Sequence, residues 1–128
     1  NVNFHGYKSN SSIIEMLKDV HIFSYPSIWT ETSCISAIEA MAAGCEVVTT
    51  NLGALKETCE PFAKFVNFEK NLHNLELNYL NSLIDSINNF WSEDNQQKLK
   101  KQREKINQIY SWETRKVEWI DFLKKIKS

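Results

Sequence analysis

The chain of 128 residues carries 15 Lys and Arg against 16 Asp and Glu, a formal net charge of -1. A chain of this length can bury one domain's core, and 42% hydrophobic with 24% charged residues is ordinary for a globular protein. The near-neutral balance argues against electrostatic capture of nucleic acid or of an anionic membrane. No apolar run approaches the ~18 residues that a membrane span requires, and no signal-peptide pattern is present. Cys34, Cys45 and Cys59 are three in number, without CxxC spacing, which reads as reduced core or loop thiols of a cytoplasmic protein. His5, His21 and His73 lack ligand-like spacing, so no metal is expected. The chain opens on Asn1 rather than Met, as a piece of a longer protein would.

In chain order, Val2 to His5 is the first predicted strand, and Gly6-Tyr7-Lys8 turns the chain. Ser11 or Ser12 can cap a helix whose apolar positions are Ile13, Ile14 and Leu17. A strand is predicted from Val20 to Phe23. The Pro26 loop then leads into a central helix starting near Ser33 or Cys34 and closed by Gly44. Glu46 to Thr49 reads as a buried strand, Leu52 to Cys59 as a short helix stopped before Pro61, and Lys64-Phe65-Val66 as another strand. Asn67 to Asn74 is expected to be a long loop. From Glu76 to Trp91, apolar residues recur at spacings of three and four, an amphipathic helix. Asp94 is expected to cap a further helix through the basic stretch Lys98 to Arg103, read as a solvated face. Ser111 caps a last helix in which Trp112 and Trp119 are expected as packing anchors. The alternation predicts an α/β fold, with about four parallel strands covered by helices and a helical C-terminal segment, all within one domain over residues 1–128.

The chemistry concentrates between Pro26 and Gly44. Strand, loop, helix, strand is a βαβ unit, and such units bind ligands where the loop leaves the strand's carboxyl end. Glu31 and Glu39 lie eight positions apart around the helix start. A rise of about 1.5 Å per helical residue puts them on the order of 10 Å apart, with the positive end of a helix dipole between them. Unpaired amides at that end favour an anion, above all phosphate. A carboxylate is all acceptor, so Glu39 suits a ribose diol, and small neighbours allow a close approach. Blander roles stand beside these. Thr32 or Ser33 can simply cap the helix, Ser36 to Glu39 fits a capping box, and Glu31 can be a solvated loop carboxylate.

Phe4-His5-Gly6-Tyr7, Pro26-Ser27, the E-x7-E of Glu31 and Glu39, Glu39-Ala40-Met41-Ala42-Ala43-Gly44, the strand Glu46 to Thr49, Gly53 and Ser111-Trp112-Glu113 together resemble the second domain of retaining, two-Rossmann-domain (GT-B) glycosyltransferases. More narrowly, the chain resembles glycosyltransferase group 1, or family 4. The resemblance implies a Rossmann-like partial domain that binds a nucleotide-sugar and transfers its hexose to an acceptor hydroxyl in glycan, lipid or polysaccharide synthesis. It implies that Glu31 is catalytic and contacts the donor sugar. It further implies that the amides of Thr32, Ser33, Cys34 and Ile35 touch sugar hydroxyls and the diphosphate, and that Glu39 takes the ribose. No cofactor or metal is implied. Thr32-Ser33-Cys34 stands where family members often have glycine and an aromatic residue, and Cys45-Glu46 follows Gly44 in place of a common Pro.

The family's diphosphate-binding Arg and Lys have no counterpart before Glu31 except Lys8 and Lys18, and the N-terminal acceptor domain is missing. The fragment is therefore expected to be inactive alone, because charge-assisted bonds are the strong ones. In the family the terminal helices join the two domains, so apolar surface left exposed here would promote self-association. The full-length protein is read as cytoplasmic or peripheral at a membrane. The competing readings are a sugar-nucleotide epimerase or phosphorylase relative of the same fold, and a non-catalytic Rossmann-like binding module.

Overall fold

The computed structural model describes residues 2–127. Three parallel strands, β1 (Ile22–Tyr25), β2 (Glu46–Thr50) and β3 (Lys64–Val66), form one sheet in the order β1-β2-β3. Ile22 pairs with Glu46 and Tyr25 with Thr49 across the first ladder, and Val48 with Lys64 across the second. The helices are α1 (Asn10–Leu17), α2 (Ile35–Ala43), α3 (Leu55–Cys59), α4 (Leu72–Asn89), α5 (Glu93–Ile109) and α6 (Trp112–Lys127). The α/β architecture with a parallel, helix-covered sheet is the one expected from the alternation of patterns.

All five residues of β2 are buried, because helices cover both faces of the central strand. Successive side chains point to opposite faces. Val47 thus joins Leu17, Ala37, Ala40, Met41, Leu55, Cys59 and Ile106 under α1, α2, α3 and α5. Val48 instead joins Val66, Leu75 and Tyr79 under α4. The three thiols are free and buried. Burial pushes the Cys59 thiol up to about 12 and also raises Cys45.

Local signals account for most helix ends. Ser9, Asn71 and Ser92 accept backbone N–H bonds at the starts of α1, α4 and α5. The Ser111 hydroxyl does the same for Thr114 in the first turn of α6. Gly44 adopts φ 101°, and the amides of Gly44 and Cys45 both return to the Ala40 carbonyl, at 3.2 and 3.0 Å.

The expected first strand is absent. Val2 to His5 pairs with no strand among the described residues, and Val2 and Phe4 are 98% and 96% exposed. An extended segment becomes a strand only beside a neighbour, and this one lies against none, so the sheet has three strands rather than four. β1 begins two residues later than expected. The amides of Lys18, Asp19 and Val20 turn back to Glu15, Met16 and Leu17 and use up the predicted strand start. α3 begins at Leu55 rather than Leu52, after Gly53 in a left-handed conformation. α4 starts at Leu72, which shortens the expected loop, and Ser92 rather than Asp94 caps α5.

The largest departure is α6. Trp112 is 86% and Trp119 61% exposed, so neither anchors a core. Trp119 meets its helix neighbour Phe122 edge-on, at 5.9 Å. The basic face of α5 is largely solvated as expected, but Leu99, Gln102 and Ile106 are buried, and α5 packs mainly on α2.

Candidate functional site

The site region begins where β1 ends. Tyr25 closes that strand, held by its ladder with Thr49, whose hydroxyl donates to the Tyr25 carbonyl at 2.9 Å. Pro26 turns the chain away from the sheet. The Thr50 hydroxyl donates to the Ser27 carbonyl at 2.7 Å, tying the loop to the carboxyl end of β2.

Glu31 sits in this loop and is half-buried rather than free in solvent. The Tyr25 hydroxyl donates to its Oε1 at 2.6 Å. The Ala54 amide donates to its carbonyl at 2.9 Å. Gly53, with φ +60°, comes so close that an added Cβ would lie 2.7 Å from both the Glu31 nitrogen and oxygen. The glycine is thus required both by its left-handed backbone and by the space beside Glu31. The carboxylate holds the Tyr25 proton, and with burial and the nearby Cys34 it pushes that phenol up to about 12.

Thr32 and Ser33 are exposed, and neither side chain caps the helix. The N-cap is Cys34, which is buried and makes no side-chain cap hydrogen bond. Its carbonyl accepts from the Ala37 and Ile38 amides at 3.1 and 3.2 Å. Because α2 starts at Ile35, Ser36 is inside the helix, and a capping box of Ser36 with Glu39 is ruled out. Ile35 is 68% exposed at the helix mouth. This end of α2 is therefore uncapped by side chains and faces solvent.

The other end of α2 is closed. The Gln102 side-chain amide donates to the Met41 and Cys45 carbonyls at 3.2 and 2.8 Å, and Asn107 donates to Ala42 at 3.0 Å. Carbonyls left unpaired at a helix C-terminus carry partial negative charge, and here α5 satisfies them. The buried Gln102 Oε1 has no partner among the described residues.

Glu39 lies four residues into α2, about 6 Å along the axis from Ile35. Its Oε1 accepts from Asn10 of α1 at 2.8 Å. It lines a cavity of about 360 Å³ with Ile14, Leu17, Ala42, Ala43 and Asn107, and with two cations, Lys18 and Arg103. On the α4 side of the sheet, a more apolar cavity of about 450 Å³ lies between Ser24, Pro26, Ile28, Thr50 and Tyr79.

The predicted residues from Glu31 to Ile35 thus form one continuous loop and helix mouth, with Glu39 on the next turn. The two carboxylates have separate anchors, Tyr25 for Glu31 and Asn10 for Glu39. Sequence reasoning missed both anchors, as well as Arg103. Asn10 is 29 positions from Glu39, and no local spacing links them. Tyr25 directly precedes the Pro26-Ser27 pair, and that adjacency is the one signal that could have pointed to it.

Among the described residues, no helix is long and apolar enough to cross a membrane. Searches of curated proteins and of solved structures found no match. The family model described as "Glycosyl transferases group 1" matches residues 1–108, an extent that takes in all three strands and nearly all of α5. Membership implies a glycosyltransferase-type function with a nucleotide-sugar donor. The chain belongs to the group 1 glycosyltransferase family.

Proposed function

We propose that the chain is the donor-binding part of a retaining GT-B glycosyltransferase of family 4, and that the loop and helix mouth from Glu31 to Glu39 hold its nucleotide-sugar. Glu31 contacts the donor sugar and acts as the catalytic carboxylate, steadying positive charge as it develops on the sugar carbon. The amides of Thr32, Ser33, Cys34 and Ile35 meet sugar hydroxyls and the diphosphate. Glu39 accepts from the ribose hydroxyls. As the glycosidic carbon leaves the phosphate, charge grows on the departing diphosphate, and preorganised amides lower that barrier. The hexose joins an acceptor hydroxyl on the same face, the acceptor being held by an N-terminal domain of the same protein.

The observation that carries this reading is the asymmetry of α2. Its C-terminal carbonyls are satisfied by Gln102 and Asn107, while its N-terminus has no side-chain cap and opens beside Glu31. An uncapped helix N-terminus in a βα loop suits an anion. Arg103, lining the cavity beside Glu39, adds positive charge on that flank, where Lys18 is already paired with Glu15 at 2.6 Å.

Calorimetric titration of the chain with a panel of uridine, guanosine and adenosine diphosphate sugars tests the proposal. One donor class binds, and Glu39→Ala weakens it about tenfold or more, as expected for a bond to a charged acceptor. Unchanged affinity in Glu39→Ala would remove the ribose role.

A further inference from the structure

We propose that Tyr25 is a positioning residue for Glu31: its phenol occupies Oε1 and leaves Oε2 as the oxygen offered to the donor sugar. The inference rests on the proposed contact between Glu31 and that sugar. Its physical basis is the contrast between the two residues' supports. Glu31 belongs to a loop, and a glutamate side chain has several rotamers to lose when it binds. Tyr25 belongs to β1, where its backbone is paired with Thr49 and its carbonyl accepts the Thr49 hydroxyl at 2.9 Å. Its ring stacks on Phe23, with centroids 5.9 Å apart and planes within 15°. The hydroxyl therefore has a fixed place, and at 2.6 Å it makes a short bond to a carboxylate oxygen.

The loop backbone is gripped as well, by the Ala54 amide on the Glu31 carbonyl at 2.9 Å. Two anchors on one loop residue, one on the side chain and one on the main chain, set both the height and the direction of its carboxylate. A catalytic group held by its neighbours reacts or binds better than one that must be ordered by the ligand. The phenol stays a donor throughout the neutral range, since its proton is retained to about pH 12.

The test separates the sugar from the nucleotide. Wild type, Tyr25→Phe and Glu31→Gln are titrated with the bare nucleoside diphosphate and with the matching sugar nucleotide, using the donor class that the panel identifies. Tyr25→Phe keeps the ring and its stacking and removes only the hydroxyl. It is expected to leave affinity for the bare diphosphate unchanged and to lower the extra affinity contributed by the sugar about tenfold. A purely structural role would weaken both ligands together and overturn the proposal.

A parallel readout needs no ligand. Tyrosinate absorbance followed to alkaline pH loses a step near 12 in Tyr25→Phe, while the raised step of the buried Tyr79 remains. In Glu31→Gln the Tyr25 step moves down toward the ordinary phenol value. If Glu31→Gln abolishes the sugar increment and Tyr25→Phe does not, the positioning role is wrong and the donor reading stands. If neither variant changes the increment, the donor role of Glu31 falls, and this inference with it.

Discussion

α2 and α6 are helices of opposite fate. α2 has nine residues, and Ala37, Ala40 and Met41 are entirely hidden beneath neighbouring elements. α6 has 16 residues and abundant apolar side chains, yet Val117, Trp119, Phe122, Leu123 and Ile126 are all more than half exposed. Its attachment is through α5 at its start, where Thr114 donates to the Gln108 carbonyl at 2.7 Å and Arg115 lies 5.1 Å from the Tyr110 ring centroid. Apolar content therefore does not by itself decide burial. Small side chains let α2 approach the sheet and α5 closely, whereas the bulky residues of α6 meet no complementary surface among the described residues.

Substitutions can break that comparison. The largest effect is expected at Met41, the largest of the fully buried side chains. Met41→Ala leaves a cavity and should lower unfolding free energy by about 2–5 kcal/mol in denaturant titrations. A loss much below that range would mean the α2 core can collapse around the gap. Gly53→Ala comes next. It puts a Cβ 2.7 Å from the Glu31 backbone at a positive φ, and a cost of about 1–3 kcal/mol is expected. Because the clash falls on Glu31, donor-sugar affinity should fall with stability, whereas Met41→Ala should leave it largely intact once the protein is folded. Trp119→Ala is expected to change stability by about 0.5 kcal/mol or less, since most of the side chain already meets solvent. A loss at Trp119 comparable with that at Met41 would show that α6 packs in solution, either on this chain or on a second copy.

The same contrast explains what could be read in advance. The apolar stripe expected on α4 is not the face that the fold covers: Leu77, Leu80, Ile84, Ile87 and Trp91 are exposed, and Leu75 and Tyr79 are buried instead. The βαβ order, the glycine closing α2 and the serine starting α6 rest on signals within a few residues. Such signals are written in consecutive residues. The candidate loop was legible for a similar reason, since Glu31 to Glu39 is a short continuous stretch. The missing first strand was not legible. Val2 to His5 has the composition of a strand, and only the absence of a neighbouring strand leaves it unpaired and exposed. The two tryptophans misled in the same way, because an aromatic side chain does not announce whether a partner surface exists.

The residues alone determined the α/β class and most of the sequence of elements, because periodicity and capping act over a few positions. Tertiary structure decided which segments pair, which apolar faces are covered and which partner holds each carboxylate. Asn10 reaches Glu39 across 29 positions, and Gln102 reaches the Cys45 carbonyl across 57. A hydrogen bond of about 3 Å between such distant positions exists only once the sheet and its helices have brought them together, and no local pattern encodes it.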